Sequence, residues 1–243
     1  MCKMSFSIIV PAYNEERRLP FFLPDLMDFV KQTRECKEVI FVNDGSTDKT
    51  LEYIEQYTKD EKKVKIITYE KNNGKGWAVK QGVDKAEGDM ILFIDADGSI
   101  HPNQIPLMLE KLKTTDIVVG DRSARESKIE QPFVRRSVGK IFNVYVALLF
   151  QSRQLDNLCG FKGFQKNIAK DLFSNLQSHN WIFDVEIFYK AKQRRYKIYR
   201  LPIFWKHKEE TKLKPYDPIK MLFQLLLLRY KLLIKDSYSE KSK

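Results

Sequence analysis

Met90-Ile91-Leu92-Phe93-Ile94-Asp95-Ala96-Asp97-Gly98 decides the fold. Five apolar residues in succession, without alternation and too short for a helix, read as a strand buried on both faces. The run stops at two carboxylates and a glycine, so the strand's carboxyl end is polar. Upstream, Phe6–Val10 repeats the pattern and stops at Pro11, and Glu38–Val42 and Val64–Tyr69 follow. Between them, Leu23, Leu26, Phe29 and Val30, then Leu51, Ile54 and Tyr57, recur at helical spacing, with Ser46 or Thr47 placed to cap the second helix. The Gly-broken loop Asn72-Asn73-Gly74-Lys75-Gly76 opens a helix through about Ala86, and a helix from about Asn103 to Lys113 precedes a strand at Ile117–Val119. Strands alternating with crossover helices predict an α/β fold, a mostly parallel sheet with helices on both faces.

Such sheets bind ligands beyond the carboxyl ends of their strands. Tyr13-Asn14-Glu15, Asn43-Asp44 and Asp95-Ala96-Asp97 all fall there. The oxygens of Asp95 and Asp97 suit Mg²⁺ or Mn²⁺, which keep positions open for substrate phosphates. A metal so held would neutralise a departing diphosphate. For an isolated D-x-D the competing reading is a solvated turn. Asp44 is placed either to cap the following helix or to accept from a nucleobase imide or ribose hydroxyls. Gly74-Lys75-Gly76 lacks the Walker A spacing, yet its glycines permit close approach of a phosphate to a helix N-terminus.

After Arg122 the rhythm changes. Pro132–Gln151 reads as a helix with a wide apolar stripe, Asn157–Gln165 as a loop and short strand, and Trp181–Arg194 as a helix. Lys197–Phe204 reads as a strand, Lys206–Pro215 as a loop, Pro218–Lys235 as a strongly apolar helix and Asp236–Lys243 as a frayed tail. Three cysteines and three histidines at unrelated spacings give neither a disulfide framework nor a zinc site, and a reducing compartment follows. No run approaches the roughly 20 apolar residues of a spanning helix, and the start carries no signal peptide. The net charge is +11, from 43 basic and 32 acidic residues, and 14 basic against 3 acidic residues between Lys190 and Lys235 account for all of it. A segregated excess points to a polyanionic partner, nucleic acid or an anionic membrane surface. Met221–Leu228, flanked by Lys220, Arg229, Lys231 and Lys235, has the composition of an interfacial helix.

Val10-Pro11-Ala12-Tyr13-Asn14-Glu15-Glu16, Val42-Asn43-Asp44-Gly45-Ser46-Thr47-Asp48, Asn73-Gly74-Lys75-Gly76 and Asp95-Ala96-Asp97-Gly98, in that order, resemble the donor half of family 2 glycosyltransferases. Gly120-Asp121-Arg122, Asp156-Asn157-Leu158-Cys159-Gly160-Phe161-Lys162, Phe183-Asp184-Val185-Glu186 and Trp205 with Thr211-Lys212-Leu213 narrow this to the polyprenyl-phosphate hexosyltransferases, the dolichyl-phosphate glucose and mannose synthases. The resemblance runs from about Phe6 to Leu233 and implies a GT-A type fold, a Rossmann-like nucleotide half continuous with an acceptor half. It places Pro11, Ala12, Tyr13, Glu15 and Asp44 around the nucleoside, Lys75 near base or phosphates, and Asp95 and Ala96 on the ribose side. It puts a metal on Asp97, with Asp95 beside it, and a phosphate on Arg122 and one of Arg135 or Arg136. Asp156 falls near the sugar and Lys212 near the acceptor phosphate. Ser99 stands where many mannose synthases carry a glutamine ligand, and Cys159-Gly160-Phe161-Lys162 replaces the usual Ser-Gly-Phe-Arg; both lean toward glucose.

A phosphate monoester is largely dianionic at neutral pH and attacks without a strong base, so the site must chiefly screen charge and align the reactants. The expectation is an inverting, metal-dependent transferase, with Asp97, Arg122, Asp156 and Lys212 closest to the chemistry. It would move glucose from UDP-glucose, or mannose from GDP-mannose as second choice, to a polyprenyl (dolichyl) phosphate. Residues 1–122 would form the donor half, 123–215 the acceptor half, and 216–243 a membrane-surface helix and polar tail. The enzyme would sit peripherally on the cytoplasmic face of an anionic membrane, with room for a membrane partner subunit and no nucleic-acid partner. The competing readings are a family 2 transferase with a glycan or protein acceptor, and a basic nucleic-acid-binding module using Tyr196, Tyr199 and Trp205.

Overall fold

The computed structural model describes residues 4–130, 133–150, 156–206 and 217–240, without the side chains of 133–138, 140, 217–219 and 234–240. Strands β1 (Phe6–Ala12), β2 (Cys36–Asp44), β3 (Val64–Tyr69) and β4 (Met90–Ile94) alternate with helices α1 (Leu19–Gln32), α2 (Thr50–Thr58) and α3 (Lys75–Lys85). A 3-10 turn at Pro102–Gln104 leads into α4 (Ile105–Leu112), β5 (Ile117–Asp121), β6 (Lys128–Glu130) and α5 (Phe133–Phe150). Then come β7 (Phe161–Gln165), α6 (Lys166–Ser174), α7 (Phe183–Gln193), β8 (Ile198–Pro202), β9 (Phe204–Lys206) and α8 (Asp217–Glu240).

Seven strands form one sheet in the order β3-β2-β1-β4-β7-β5-β8. All neighbours are parallel except β7, which runs antiparallel between β4 and β5. Unbroken apolar strands let alternate side chains serve both faces. Ile8, Val10, Phe41, Leu92 and Ile94 pack against α1, α2 and α4. Ile9, Ile40, Val42, Ile91 and Phe93 pack against α3, α6 and α7. The predicted α/β sheet with helices on both faces is therefore the one found.

Several local expectations need correction. Pro11 does not end β1, which pairs with β2 as far as Ala12↔Asn43. Pairing with β4 stops at Ile9, so Pro11 lies where the strand is an edge on that side and a missing donor is tolerated. Asp48, rather than Ser46 or Thr47, takes the Thr50 N–H at 3.0 Å, and Ser46 and Thr47 bond Asn14 instead. The single strand expected at Lys197–Phe204 is two, β8 and β9, and β9 pairs with β6 in a second small sheet. α6 and β6 were not expected, and α8 runs on to Glu240 through most of the expected tail.

α5, α7 and α8 share a third core of Phe142, Val146, Phe150, Ile182, Val185, Tyr189, Met221, Leu225, Leu228 and Leu232. On its far side α5 leaves Ile141 (70%) and Leu148 (75%) exposed, and α8 leaves Phe223 (63%) and Tyr230 (65%) exposed. Val144 on α5 and Leu226, Leu227 and Leu233 on α8 are exposed as well, completing helical stripes. Among the described residues no helix is long and apolar enough to cross a membrane.

Candidate active site

β4 ends in Asp95 and Asp97, and the segment after it is held by neighbours on two sides. The Asp95 N–H donates to the Gly160 carbonyl at 3.0 Å, and the Lys206 N–H of β9 donates to the Ser99 carbonyl at 3.0 Å. The buried Gln104 amide fixes β9 by exchanging two 2.8 Å bonds with the Phe204 backbone. The resulting cleft is lined by Asp95, Asp97, Ser99, Ile100, Gly160 and Trp205. Asp97 accepts from the Ser99 N–H at 2.8 Å. Asp95 is paired with Lys75, whose Nζ lies 2.6 and 2.9 Å from its two oxygens. Burial disfavours the Lys75 charge, but Asp95, Asp184 and Asp97 outweigh it and raise the pKa. A Cβ on Gly160 would stand 1.8 Å from the Asp95 carboxylate, so only glycine fits there.

The glycine loop is used differently from the expectation. A Cβ on Gly74 would meet the His179 carbonyl at 2.5 Å, and one on Gly76 would meet Phe183 Cβ at 2.6 Å. These glycines admit the chain's own segment 178–183, not a phosphate. The N-terminus of α3 is also taken: the Asn73 and Gly74 N–H groups donate to the Asp44 carboxylate at 2.9 and 2.8 Å. Burial raises the Asp44 pKa despite these donors. Asp44 thus holds the entry to α3, the helix after the next strand, rather than capping the helix after β2. Glu15 pairs with Arg18 at 2.6 Å, while Tyr13 is exposed beyond the end of β1.

Next to Trp205 of the cleft, Arg122 follows β5 and meets Asp156 in a two-pronged pair, Nε to Oδ2 at 2.6 Å and a terminal nitrogen to Oδ1 at 2.8 Å. The Arg122 N–H adds a third bond, at 3.1 Å. Its guanidinium lies over the Trp205 ring, 5.3 Å from the centroid. Burial works against both charges, yet each stabilises the other, so the Arg122 pKa is raised and the Asp156 pKa lowered. Asp156, expected near the sugar, is committed to holding Arg122. Trp205 is buried here and Tyr199 lies under Lys111, so neither presents a face for stacking bases.

Sequence reasoning gave no role to the buried ions beneath the cleft. Lys162, fully buried on β7, sits 3.1 Å from Asp184 on α7 and donates to the Cys159 and Asn157 carbonyls. Burial pushes the Asp184 pKa up to about 6, against the pull of Lys162 and Lys75. The signal was the pair of acids opening Phe183-Asp184-Val185-Glu186, which reads as a solvated first turn until α7 is seen to be buried almost throughout. Lys212 lies outside the described residues. Arg135 and Arg136 fall in the first turn of α5, where side chains are not described.

The profile of Glycosyl transferase family 2 matches residues 7–173. The chain is 33% identical over 233 residues to a dolichyl-phosphate beta-glucosyltransferase of Trichomonas vaginalis, covering 90% of this chain and 71% of that protein. It is 32% identical over 246 residues to proteins of the same name from Saccharomyces cerevisiae, covering 92% and 73%, and from Homo sapiens, covering 93% and 75%. Among solved structures, glucosyl-3-phosphoglycerate synthase of Mycobacterium tuberculosis in complex with Mn²⁺, UDP-glucose and phosphoglyceric acid matches with a TM-score of 0.70 at 20% identity, covering 93% of this chain and 79% of that one. That likeness is one of fold and agrees with the expected GT-A type. With the profile spanning most of the chain and these identities holding over nine-tenths of it, the chain belongs to glycosyl transferase family 2.

Proposed function

We propose that this glycosyltransferase moves glucose from UDP-glucose to dolichyl phosphate, with inversion, at the cytoplasmic surface of a membrane. The observation that carries the reading is the meeting of two unlike halves at one cleft. The Asp95 and Asp97 carboxylates lie at the end of β4, and a fixed cation, Arg122 on Asp156, lies over Trp205, which lines the same cleft. The first suits a nucleoside diphosphate with a metal, and the second suits another anion. The names of the relatives supply the sugar and the lipid. In this reading the donor half is 1–122 and the acceptor half 123–215, joined where Asp95 bonds Gly160.

Among the described residues no group of three or more His, Cys, Asp or Glu could hold a metal. A divalent ion here would be held by Asp97, with diphosphate oxygens and water completing its shell, the usual manner of Mg²⁺ and Mn²⁺. Asp97 fits, because it lines the cleft and its donor is an ordinary backbone N–H. Asp95, engaged by Lys75, fits the ribose side better. Bound there, the metal would supply the charge that neutralises the leaving diphosphate.

The chain's own residues do the rest. Pro11, Ala12 and Tyr13 and the loop held by Asp44 wall the nucleoside, and Lys75 keeps Asp95 in place. Arg122 draws the acceptor phosphate in line with the anomeric carbon, and Lys212 with Arg135 or Arg136 adds charge to the same anion. Asp156 stays ionised beside Arg122, so it positions that cation and takes no proton. The exposed apolar stripes of α5 and α8 rest in the membrane interface where the lipid presents its phosphate. The acceptor side is tied to them, since Asn157 Nδ2 donates to Asn143 on α5 at 3.1 Å.

The test offers radiolabelled UDP-glucose or GDP-mannose, with Mg²⁺ or Mn²⁺, to enzyme and dolichyl phosphate in vesicles. Label passing from UDP-glucose into the lipid is the expected result. Transfer from GDP-mannose, or only to a soluble glycan or peptide, would overturn it.

A further inference from the structure

Four charges alternate beneath the cleft. Lys162 pairs with Asp184 at 3.1 Å, and Lys75 pairs with Asp95 at 2.6 Å. The two pairs are brought together where the start of α7 packs on the start of α3: a Cβ on Gly76, next to Lys75, would stand 2.6 Å from the Cβ of Phe183, next to Asp184, and the two opposite charges attract. Lys162 and Asp184 are fully or nearly fully buried, so neither charge has water to fall back on. The two ends of the chain of charges lie on opposite sides of the reaction. At one end, Asp95 belongs to the donor carboxylates. At the other, Lys162 grips the carbonyls of Asn157 and Cys159, in the loop whose first residue, Asp156, holds Arg122. Gly160 closes the circuit by packing against Asp95. The aromatic rings of Phe93 and Phe188 flank the Lys162 ammonium, 5.2 and 5.6 Å from Nζ.

We infer that Asp184 is a positioning residue that aligns the two halves of the site, acting through Lys75 on the donor carboxylate and through Lys162 on the loop 156–160 that fixes Arg122. This rests on the proposed transfer reaction, and it assigns no proton transfer or substrate contact to Asp184. A buried carboxylate between two ammonium groups is costly to desolvate, and a helix first turn favours it, since α7 starts at Phe183 and its macrodipole stabilises an acid there. Its neighbour Glu186 does the matching task for the outer loop, accepting from Gln177 and Ser178 N–H groups.

The experiment compares Asp184→Asn, Lys162→Met and Lys162→Arg with wild type in the transfer assay. Amide hydrogen exchange is followed in each protein. Asp184→Asn and Lys162→Met are expected to lower kcat about 10- to 100-fold, the loss of one charge-assisted contact. The KM for UDP-glucose rises less than kcat falls, because Pro11, Ala12, Tyr13 and the loop held by Asp44 are untouched while the grip of Lys75 on Asp95 is only loosened. Lys162→Arg, which keeps the cation, recovers most of the turnover, and the double variant falls no further than either single one. Independently of activity, exchange quickens at amides 156–162 and not in β1–β3. A wild-type enzyme that transfers glucose while Asp184→Asn keeps its kcat overturns the positioning role alone. So does unchanged protection at 156–162, or a kcat loss that merely follows the fraction of unfolded protein. A wild type that transfers no sugar, with exchange still quickened in the variants, overturns the reaction and keeps the mechanical link.

Discussion

At the scale of single residues, the site separates groups that hold structure from groups left for substrate. Asp97 is half-buried and its hydrogen bond to Ser99 is local, so Asp97→Ala is expected to abolish transfer while the melting temperature changes little. Near-wild-type turnover of that variant with Mg²⁺ or Mn²⁺ present would remove Asp97 from the donor site. Asp156 is the contrasting case. It is buried and bonded three times by Arg122, so Asp156→Asn strands a half-buried guanidinium and leaves its own buried site without the charge that Arg122 pairs. Breaking such a pair costs about 3–5 kcal/mol, on the order of 10 °C in melting temperature for a chain of this size. The pH dependence follows from the lowered pKa. The contribution of Asp156 is fully present above the ordinary carboxylate value of 3.8 and is lost as pH falls through its lower folded value. Thermal melts at pH 7 and below pH 4 check both statements; an Asp156→Asn protein as stable as wild type at pH 7 would contradict them.

At the scale of elements, what could be read and what could not divide along sequence distance. β4 was legible because five apolar residues followed by Asp95 and Asp97 announce both a buried strand and the polar carboxyl end that lines the cleft. The same held for β3, whose bounds matched. β7 was harder, because its place between β4 and β5 and its reversed direction depend on pairings distant in sequence, such as Phe93↔Lys162 and Val119↔Lys162. α7 misled because acids and lysines on a helix usually face water, yet Asp184, Glu186 and Lys190 are all buried and paired. Gly74, Gly76 and Gly160 were visible as glycines, but only the folded chain shows that each makes room for protein. Gly160→Ala tests this. Its methyl would overlap the Asp95 carboxylate, so either that carboxylate swings off Lys75 or the loop 156–160 moves away from β4. Overpacking of this kind costs about 1–3 kcal/mol, and turnover should fall far more than stability. Calorimetry and transfer rates measured on one preparation decide; an active Gly160→Ala enzyme would show that the contact with Asp95 is dispensable.

At the scale of the whole molecule, the charge and the apolar surface do not coincide. The basic excess from Lys190 onward includes Lys192, Arg194, Arg195 and Lys197, but these precede β8 and so lie at the amino ends of the strands, away from the cleft. The apolar stripes are elsewhere, on α5 and α8, with Lys220 and Lys231 exposed beside them. Membrane attachment should therefore rest on buried side chains more than on total charge. Full insertion of one large apolar side chain contributes about 1.5–3 kcal/mol, whereas each basic residue near an anionic leaflet contributes about 1 kcal/mol and is screened by salt. α8 cannot simply be deleted to test this, because Met221, Leu225, Leu228 and Leu232 fill the third core. Phe223 and Leu227 can be changed without that damage, since both face outward. The expected outcome of co-sedimentation with anionic vesicles is that Phe223→Glu with Leu227→Glu releases most of the protein to the supernatant. Arg194→Glu with Arg195→Glu should leave the pelleted fraction nearly unchanged, and salt should weaken wild-type binding only moderately. The reverse ranking, with the arginine pair decisive and the apolar pair inert, would turn the docking face to the amino ends of the strands. That orientation would carry the cleft away from the lipid phosphate, which the proposed reaction does not allow.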